Sequence, residues 1–247
     1  MIKIAIITGA SSGLGYDFTK EIDKKGIDQI WIVARRLNLL EKLSKELKTE
    51  AKIFNMDITN FEDLNKIEKE LETNKYEIKY LINNAGFGLQ GNFYQLDITK
   101  QLNMIDLNIK SLVKITYFSI KYMNKGSEII QIASTAGFLP MKHFAVYAAS
   151  KAFVLNFSNA IASELKNKGI NSIAISPGPV ATEFFDIASK GKQPPFAYKS
   201  IDVVRKALKD SKKKRWISIY GFIMKTVMFF SHFTPRRIKT VLASKSL

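Results

Sequence analysis

The stretch VYAASKAF places a tyrosine, Tyr147, four residues before a lysine, Lys151. The surrounding residues have a helical pattern, and four residues make about one helical turn, so both side chains leave the same face. An ammonium near a phenol favours the phenolate and would tune the phenol for proton transfer near neutral pH. Because the same spacing also occurs on ordinary helix surfaces, the elements that position the pair decide its meaning.

A glycine-rich turn follows the first β-rich segment, at residues 3–7. The sequence TGASSGLG places three glycines between that segment and a helical pattern. Glycines at this junction permit a tight turn and a close approach of the backbone to a pyrophosphate, which the helix N-terminus also attracts. We therefore expect a dinucleotide site here rather than an ordinary strand-to-helix turn. Its expected residues are Gly9, Ser11, Ser12, Gly13, Leu14 and Gly15.

The second β-rich segment ends in IVARR, which indicates the type of dinucleotide. An NAD-binding domain commonly has an acidic residue at this point. This chain instead has Ala34 followed by Arg35 and Arg36. A guanidinium can pair with a 2′-phosphate through a bidentate fork, so we predict NADP(H), held by Arg35 with assistance from Ser11 or Arg36. Two solvated arginines at the start of a helix, or a mixed preference for NADP and NAD, are the alternatives.

Short β-rich segments alternate with helical patterns along the chain. The β-rich segments lie at 3–7, 29–34, 51–54, 79–83, 128–133, 171–176 and 215–220, and helical patterns include 37–47, 61–72 and 146–165. The β-rich runs are almost continuously apolar, as in parallel strands covered on both faces. The alternation predicts an α/β fold: a Rossmann-type, doubly wound, seven-stranded parallel sheet with helices on both faces. We expect one domain over 1–220, a basic, hydrophobic helical extension over 221–247, and a mobile loop or lid at 186–199.

Four motifs occur in a characteristic order. The glycine turn is followed by NNAG at 83–86, by Ser134 after the fifth β-rich segment, and by Tyr147 and Lys151. In this order and spacing the motifs resemble the short-chain dehydrogenase/reductase family, in its standard form, over about residues 1–220. The basic, hydrophobic ending, with TPRRI near the terminus, is similar to a branch of uncharacterised bacterial reductases. The resemblance implies a nicotinamide-dependent oxidoreductase that forms a homodimer or homotetramer.

The resemblance also implies chemical roles at matching positions. Tyr147 would donate the proton, and Ser134 would hydrogen-bond the substrate oxygen. Lys151 would tune Tyr147 and bind the nicotinamide ribose. Asn108, in DLNIKS, would hold a proton-relay water.

Further matching positions imply contacts with the cofactor. Asp57 would hydrogen-bond the adenine amino group, and Asn83 would steady the sheet beside the adenine ribose. The segment PGPVAT would contact the nicotinamide carboxamide through Val180 and Thr182. The remaining expected cofactor contacts are Ile58, Asn84, Ala85, Gly86, Pro177 and Gly178.

Together these expectations describe NADPH-dependent reduction of a carbonyl compound, reversible as alcohol oxidation. The side chains expected around the substrate are largely apolar, which favours a hydrophobic ketone or alcohol over a sugar. They are Phe87, Leu89, Phe138, Met141, Phe184 and Phe185. A catalytically silent NADPH-binding sensor and a membrane-surface scaffold are the alternative functions.

The composition excludes several other kinds of site. The 247 residues contain no cysteine, which excludes disulfides and thiolate metal sites, and no His, Asp and Glu cluster has metal-ligand spacing. The nucleophile elbow of a serine hydrolase is absent. His143, between Ser134 and Tyr147, and His232 are each interpreted as surface residues. The N-terminal sequence lacks the pattern of a signal peptide, so we expect a cytoplasmic location.

Positive charge is concentrated towards the C-terminus. Residues 1–204 contain 26 Lys and Arg against 21 Asp and Glu, whereas residues 205–247 contain 12 against 1. The body lacks a basic face interleaved with stacking aromatic residues, so we predict no nucleic-acid partner. Residues 221–233, GFIMKTVMFFSHF, are too few to span a bilayer. They would close the substrate pocket, form an oligomer interface, or make a peripheral contact with an anionic membrane.

Overall fold

A seven-stranded parallel sheet forms the centre of the protein. The computed structural model describes residues 1–189, 191 and 196–235. The strands are β1 (Ile2–Thr8), β2 (Gln29–Ala34), β3 (Glu50–Asn55), β4 (Tyr76–Asn83), β5 (Glu128–Ile132), β6 (Asn171–Ile175) and β7 (Ile217–Ser218). Their order is β3-β2-β1-β4-β5-β6-β7, so the direction of winding reverses between β1 and β4. In sheets of this kind ligands bind at the carboxyl ends of the strands at that reversal.

Helices cover both faces of the sheet. They are α1 (Gly13–Ile22), α2 (Leu37–Lys45), α3 (Phe61–Thr73), α4 (Ile98–Ile105), α5 (Leu112–Ser119), α6 (Ala145–Leu165), α7 (Phe184–Ala188), α8 (Ser200–Lys212) and α9 (Phe222–Phe233). One apolar core packs α3, α5 and α6 against the sheet, and a second core packs α1, α2 and α8 against the opposite face. The predicted doubly wound α/β fold is therefore confirmed.

The strand interiors explain why both faces need a cover. The last five residues of β1 and the four central residues of β2 are buried. Successive side chains of a strand point to opposite faces, so a continuous apolar run places hydrophobic groups on both. Trp31 of β2, for example, is fully buried and packs its ring against Phe54 and Tyr76.

Two element boundaries differ from the sequence-based expectation. The seventh strand covers only Ile217–Ser218 instead of 215–220, because Lys214 adopts a left-handed conformation and the half-exposed Trp216 lies at the sheet edge. The loop expected at 186–199 begins inside α7, and Val180 and Tyr198 are joined by a single parallel β-bridge. The remainder of that expected lid, Lys190 and residues 192–195, lies outside the described residues.

No helix within the described residues is both long enough and apolar enough to cross a membrane. The extension expected over 221–247 is represented by α9, and residues 236–247 lie outside the described part of the chain.

Candidate active site

A cavity of about 790 Å³ lies at the carboxyl ends of the central strands. It is lined by most of the residues that the sequence analysis selected: Gly9, Ser11, Ser12, Gly13, Leu14, Arg35, Arg36, Asp57, Ile58, Asn84, Ala85, Gly86, Ser134, Tyr147, Lys151, Pro177, Gly178, Val180 and Thr182. Gly15, expected to contact the cofactor, and Asn108, expected to hold a proton-relay water, do not belong to this lining. Both lie behind the wall and support it.

The glycine turn between β1 and α1 depends on backbone approaches that a side chain would block. Gly9 and Gly13 have φ values of +66° and +56°, a region that L residues with a side chain rarely adopt. A Cβ on Gly15 would lie 2.1 Å from the carbonyl oxygen of Gly9. Gly15 therefore shapes the turn by close packing, without itself facing the cavity.

The turn is fastened to β4 by Thr8 and Asn84. The Thr8 hydroxyl accepts hydrogen bonds from the backbone N–H groups of Asn84 and Ala85, at 3.0 and 3.1 Å. The Asn84 side-chain amide donates to the carbonyl oxygens of Thr8 and Gly9, at 3.0 and 3.1 Å. These bonds fix the first glycine of the turn against the strand that begins the other half of the sheet.

Asn83 faces away from the cavity. Its side-chain amide donates to Thr116 and Gln131, each at 2.9 Å, within a buried polar group. It therefore steadies the sheet as expected, but the expected position beside an adenine ribose is wrong. Successive strand side chains alternate between faces, so Asn84 and not Asn83 reaches the cavity.

Arg36, rather than Arg35, is held against the glycine turn. Its guanidinium donates to the hydroxyls of Ser11 at 3.1 Å and Ser12 at 2.8 Å, and to the carboxylate of Glu183 at 2.8 Å. Hydrogen bonding from Arg36 is the largest influence on Glu183 and keeps the pKa of that carboxyl below its usual value. Arg35 is the residue expected from the sequence to hold the 2′-phosphate, whereas Arg36 makes the contacts with the turn.

Arg35 pairs with Asp57 on the same rim of the cavity. Its guanidinium lies 3.6 Å from the Asp57 carboxylate, and its side chain is largely exposed. Asp57 also accepts hydrogen bonds from the backbone N–H and the hydroxyl of Thr59, at 3.0 and 2.8 Å. Partial burial raises the pKa of Asp57, but the hydrogen bonds from Thr59 and the charge of Arg35 more than offset it, so its pKa is lowered.

Tyr147 and Lys151 lie on the buried face of α6, and Ser134 is within hydrogen-bond reach of Tyr147. Tyr147 and Lys151 are 9% and 5% exposed. The Lys151 ammonium lies 5.9 Å from the centre of the Tyr147 ring and donates to the carbonyl oxygen of Ile132 at 2.8 Å. The shared helix face predicted from the four-residue spacing is confirmed.

Burial dominates the electrostatics of this pair. Desolvation raises the pKa of Tyr147 to about 12, although a hydrogen bond with Ser134 acts in the opposite direction. Desolvation also lowers the pKa of Lys151 to about 8. A lowering of the phenol pKa by the neighbouring ammonium, as expected from the spacing, is not seen, because desolvation is the largest influence on Tyr147.

Asn108 lies in a wide turn, Asp106–Ser111, between α4 and α5, with the hydrogen-bond pattern of a π-helix. Its side-chain amide donates to the carbonyl oxygen of Phe87 and to the hydroxyl of Ser150, each at 3.0 Å, and its oxygen accepts from the backbone N–H of Phe87 at 3.1 Å. Ser150 in turn donates to the carbonyl oxygen of Tyr147 at 2.7 Å. Asn108 thus links the segment after β4 to the helix that carries the tyrosine. Single π-turns of this kind are often found at functional sites.

Aromatic and aliphatic side chains form the end of the cavity around Tyr147. Phe184 and Phe144 place their ring centres 5.4 and 5.8 Å from that of Tyr147. The expected apolar residues Phe87, Met141, Phe184 and Phe185 belong to this lining.

Two of the residues expected in the pocket lie elsewhere. Leu89 is not in the lining but packs against the apolar cluster that contains Phe144 and Tyr147, and Phe138 packs against a cluster that contains Val154 of α6. His143 is not part of the lining. Its backbone has a φ of +64°, and its carbonyl oxygen accepts a hydrogen bond from the backbone N–H of Gly91 at 2.8 Å. His232 lies in a part of α9 whose side chains are not described.

The lining includes residues that the sequence analysis did not select: Val33, Ala34, Met56, Thr59, Asn103, Leu107, Ile132, Ala133, Thr135, Ala136, Phe144, Pro179, Glu183 and Ile187. Most of them are sequence neighbours of selected residues at the ends of β2, β3, β5 and β6. Asn103 and Leu107 lie on the face of the α4 region that leads to Asn108, so helical periodicity would have identified them. Across residues 1–189, 191 and 196–235, no group of His, Asp and Glu could hold a metal ion.

Comparisons with known proteins agree with this geometry. The family model described as short chain dehydrogenase matches residues 3–193. An uncharacterized oxidoreductase of Staphylococcus epidermidis is 32% identical over 182 residues, covering 73% of this chain and 79% of the relative.

Solved structures match nearly the whole chain. A short-chain dehydrogenase from Sphingobium yanoikuyae in complex with NADPH superposes with a TM-score of 0.79 at 28% identity, covering 88% of this chain and 87% of that one. The bulky-bulky ketone specific alcohol dehydrogenase from Comamonas testosteroni superposes with a TM-score of 0.74 at 26% identity, covering 93% and 92%. With its parallel sheet, its glycine turn and a matched family model over most of its length, this chain belongs to the short-chain dehydrogenase family of nicotinamide-dependent oxidoreductases.

Proposed function

We propose that this protein is an NADP(H)-dependent carbonyl reductase, reversible as an alcohol dehydrogenase, that acts on a hydrophobic ketone or alcohol. The observation that carries the proposal is the position of Tyr147 and Lys151. Both are buried at the junction where the glycine-turn end of one cavity meets its aromatic end. A proton donor at that junction can reach a carbonyl oxygen while a dinucleotide occupies the other end.

The glycine-turn end has the shape and charge for a dinucleotide phosphate. A Cβ at Gly9 would lie 2.7 Å from the Asn84 amide nitrogen, and one at Gly13 would lie 3.0 Å from Thr182, so only glycine keeps this approach open. The N-terminus of α1 adds free N–H groups and partial positive charge. We assign Arg36, with Ser11 and Ser12, to a ribose 2′-phosphate, and Arg35 to the outer side of the same group.

The bound nicotinamide would supply the hydride, and the protein would supply the proton and the orientation. In the reductive direction the Tyr147 hydroxyl donates its proton to the carbonyl oxygen while the carbonyl carbon gains the hydride, giving an alcohol. Ser134 donates a hydrogen bond to the same oxygen as negative charge develops on it. Lys151, whose pKa of about 8 leaves its proton exchangeable near neutrality, then restores the phenol.

Asn108 acts in this proposal as a positioning residue. Two of its side-chain hydrogen bonds are made with the Phe87 peptide, and the third goes to Ser150, the residue immediately before Lys151 in α6. It would fix the distance between the segment that crosses the cavity and the helix that carries Tyr147.

The aromatic end favours a hydrophobic substrate. Phe144 and Phe184 flank the Tyr147 ring, and Phe87, Met141 and Phe185 extend the apolar wall. The resemblance to an alcohol dehydrogenase described as specific for bulky-bulky ketones supports the same substrate class.

The proposal also includes assembly as a homodimer or homotetramer and a cytoplasmic location. Light scattering of the purified protein tests the assembly, and cell fractionation tests the location.

The decisive test replaces the proposed acid and retains its ring. Tyr147→Phe should lower turnover of any accepted ketone by about 10²–10⁴-fold, since general acid catalysis contributes roughly that factor. NADPH binding, measured by the change in its fluorescence, should stay within about twofold of wild type, because Phe keeps the ring and the loss of one hydroxyl hydrogen bond costs roughly 0.5 kcal/mol. Tyr94→Phe, at a tyrosine that is 81% exposed, is the matched control and should leave turnover unchanged.

The alternative is a protein that binds NADPH as a sensor without catalysis. The test is a panel of ketones, acyl thioesters and steroids, assayed with a preparation that binds NADPH. If none of these compounds caused NADPH oxidation, the sensor would be favoured over the reductase.

A further inference from the structure

Three phenylalanines form a stripe on the outer side of α9. Phe222, Phe229 and Phe233 are 83%, 62% and 75% exposed. At about 100° per residue they fall within about 40° of one another around the helix, and they extend about 16 Å along its axis. A surface helix in contact with water normally turns its polar side chains outward, so an aromatic face of this length indicates an apolar contact.

The opposite side of α9 is already used for packing on the protein body. Met224 contacts Gly178, where an added Cβ would lie 3.0 Å from the methionine sulfur. Gly221, just before the helix, packs against the ring of Tyr198. The helix also contacts the turn Thr135–Phe138, which follows Ser134. α9 is therefore seated beside the wall of the candidate active site and presents the stripe outward.

Basic side chains border the stripe. A shallow groove of about 360 Å³ beside Phe229 is lined by Lys206, Arg215 and Lys225, with Asp210 as its acidic member. Asp210 accepts a hydrogen bond from Ser218 at 2.7 Å and lies 3.2 Å from Arg215, so it neutralises part of this charge from a buried position. In the sequence, residues 205–247 contain 12 Lys and Arg and a single acidic residue, and this excess of positive charge continues past the stripe to the C-terminus.

We propose that this face of α9 docks on an anionic phospholipid bilayer. The phenylalanines would enter the interfacial region, while Lys225 and the neighbouring cations contact headgroup phosphates. A second copy of this chain is a poorer occupant, because a symmetric contact would bring two strongly basic segments together. Docking in this orientation would hold the wall formed by Gly178 and the Ser134 turn close to the lipid surface. The inference does not depend on the proposed reductase activity.

The test is co-sedimentation of the full chain with vesicles. One set of vesicles contains phosphatidylcholine alone, and the other contains equal parts of phosphatidylcholine and phosphatidylglycerol. The chain should pellet with the anionic vesicles at low salt and be released at high salt, because exposed charge interactions are screened. The combined variant Phe222→Ser, Phe229→Ser and Phe233→Ser should bind the anionic vesicles about tenfold more weakly.

One control variant and one charge variant keep the test specific. Combined substitution of Phe93, Tyr94 and Tyr117 by serine removes three aromatic side chains that are 57%, 81% and 72% exposed elsewhere, and it should leave vesicle binding unchanged. Lys225→Gln does not alter the aromatic face and should weaken binding to anionic vesicles about fivefold, the effect of roughly one interfacial cation. Circular dichroism and the thermal midpoint establish that each variant is folded.

Three outcomes would overturn the proposal. The wild-type chain could remain in the supernatant with anionic vesicles at low salt. The stripe variant and the aromatic control could bind vesicles equally. Finally, the stripe variant could convert an oligomer to a monomer in the absence of lipid, which would assign the face to contact between copies of the chain.

Discussion

Arg36 and Glu183 are joined by a 2.8 Å ion pair across the rim of the candidate active site. The two residues are 147 positions apart in the sequence, one at the start of α2 and the other just before α7. The same guanidinium contacts both serines of the glycine turn, so the pair connects the proposed phosphate site to the segment beside the substrate end.

The Arg36–Glu183 pair predicts an effect on cofactor discrimination. Glu183 would compete with a 2′-phosphate for Arg36 and repel it, and NADH has no such phosphate. Glu183→Gln should therefore tighten NADPH binding about two- to fivefold, the range expected when an exposed ion pair is removed, and leave NADH binding almost unchanged. Fluorescence titration with both cofactors measures the two affinities. Glu164→Gln, at an exposed glutamate of α6, is the control, and an equal change for NADPH and NADH would contradict the assignment.

Lys151 is predicted to reduce the stability of the protein at neutral pH. Burial lowers its pKa to about 8 from an ordinary value of 10.5, so the unfolded chain binds this proton more tightly than the folded one. The free energy of unfolding should therefore rise with pH between about 8 and 10.5 through this group. Lys151→Met should raise the free energy of unfolding by about 1–3 kcal/mol at pH 7, and this gain should disappear near pH 10.

Urea unfolding of Lys151→Met and wild type at several pH values measures this difference. The exposed Lys168 offers the matched control, since Lys168→Met should show no pH-dependent gain. A Lys151→Met protein that is less stable than wild type at every pH would show that the bond to the Ile132 carbonyl outweighs the cost of burying the charge.

Gly15 is predicted to tolerate no side chain, even though it does not face the cavity. A methyl group there would meet the Gly9 backbone at 2.1 Å, and Gly9 is held in place by Asn84. Gly15→Ala should therefore displace the turn, weaken NADPH binding more than about tenfold and cost more than 2 kcal/mol of stability, roughly the effect of overpacking. Calorimetry of unfolding and a NADPH titration check both effects.

Gly26→Ala is the control for Gly15. Gly26 lies in the turn between α1 and β2 and also has a positive φ, +67°, but a Cβ there would meet nothing within 4 Å. It should cost only about 1–2 kcal/mol, the strain of a left-handed conformation, and leave NADPH affinity unchanged. Equal loss of NADPH affinity in both variants would mean that general destabilisation explains the result for Gly15.

Asn108 is predicted to affect turnover more than cofactor binding. Asn108→Leu removes both hydrogen bonds to the Phe87 peptide and leaves its partly buried N–H without an acceptor, which should cost about 1–3 kcal/mol. The resulting shift of the segment above Tyr147 should lower kcat about 10- to 100-fold, with a smaller change in the KM for NADPH. Steady-state kinetics and urea unfolding separate the two effects.

An exposed asparagine of α6 is the control for Asn108. Asn156→Leu should alter neither stability nor kcat appreciably, because Asn156 bonds only to the helix backbone at Ala152. If Asn108→Leu lost stability yet retained full kcat, the residue would be structural and its positioning role would be wrong.

The sheet and the central pair of side chains could be predicted from local patterns. Apolar runs mark strands, glycines at the first junction mark the turn, and a four-residue spacing fixes the relative direction of Tyr147 and Lys151 on one helix. Each of these inferences needs only residues that are close in sequence. The fold and the composition of the glycine-turn end were therefore predicted well.

The features that were missed depend on distant residues. Arg36 was ranked below Arg35 because its partner Glu183 is brought close only by the complete fold. Asn84 lines the cavity as expected, whereas Asn83 faces away from it, because one residue of register decides which face of the sheet a side chain reaches. The desolvation that raises the pKa of Tyr147 depends on the whole surrounding core, whereas a helix pattern shows only the neighbouring charge.

The long helix α6 carries Tyr147 and Lys151 near its beginning and continues through the core to Leu165. The aromatic residues Phe184 and Phe185 belong instead to α7, in the segment after β6. The proton-transfer groups and this part of the substrate wall thus lie on separate pieces of chain. Substitutions within α7 could therefore change the accepted substrate while the acid and its ammonium neighbour keep a constant separation.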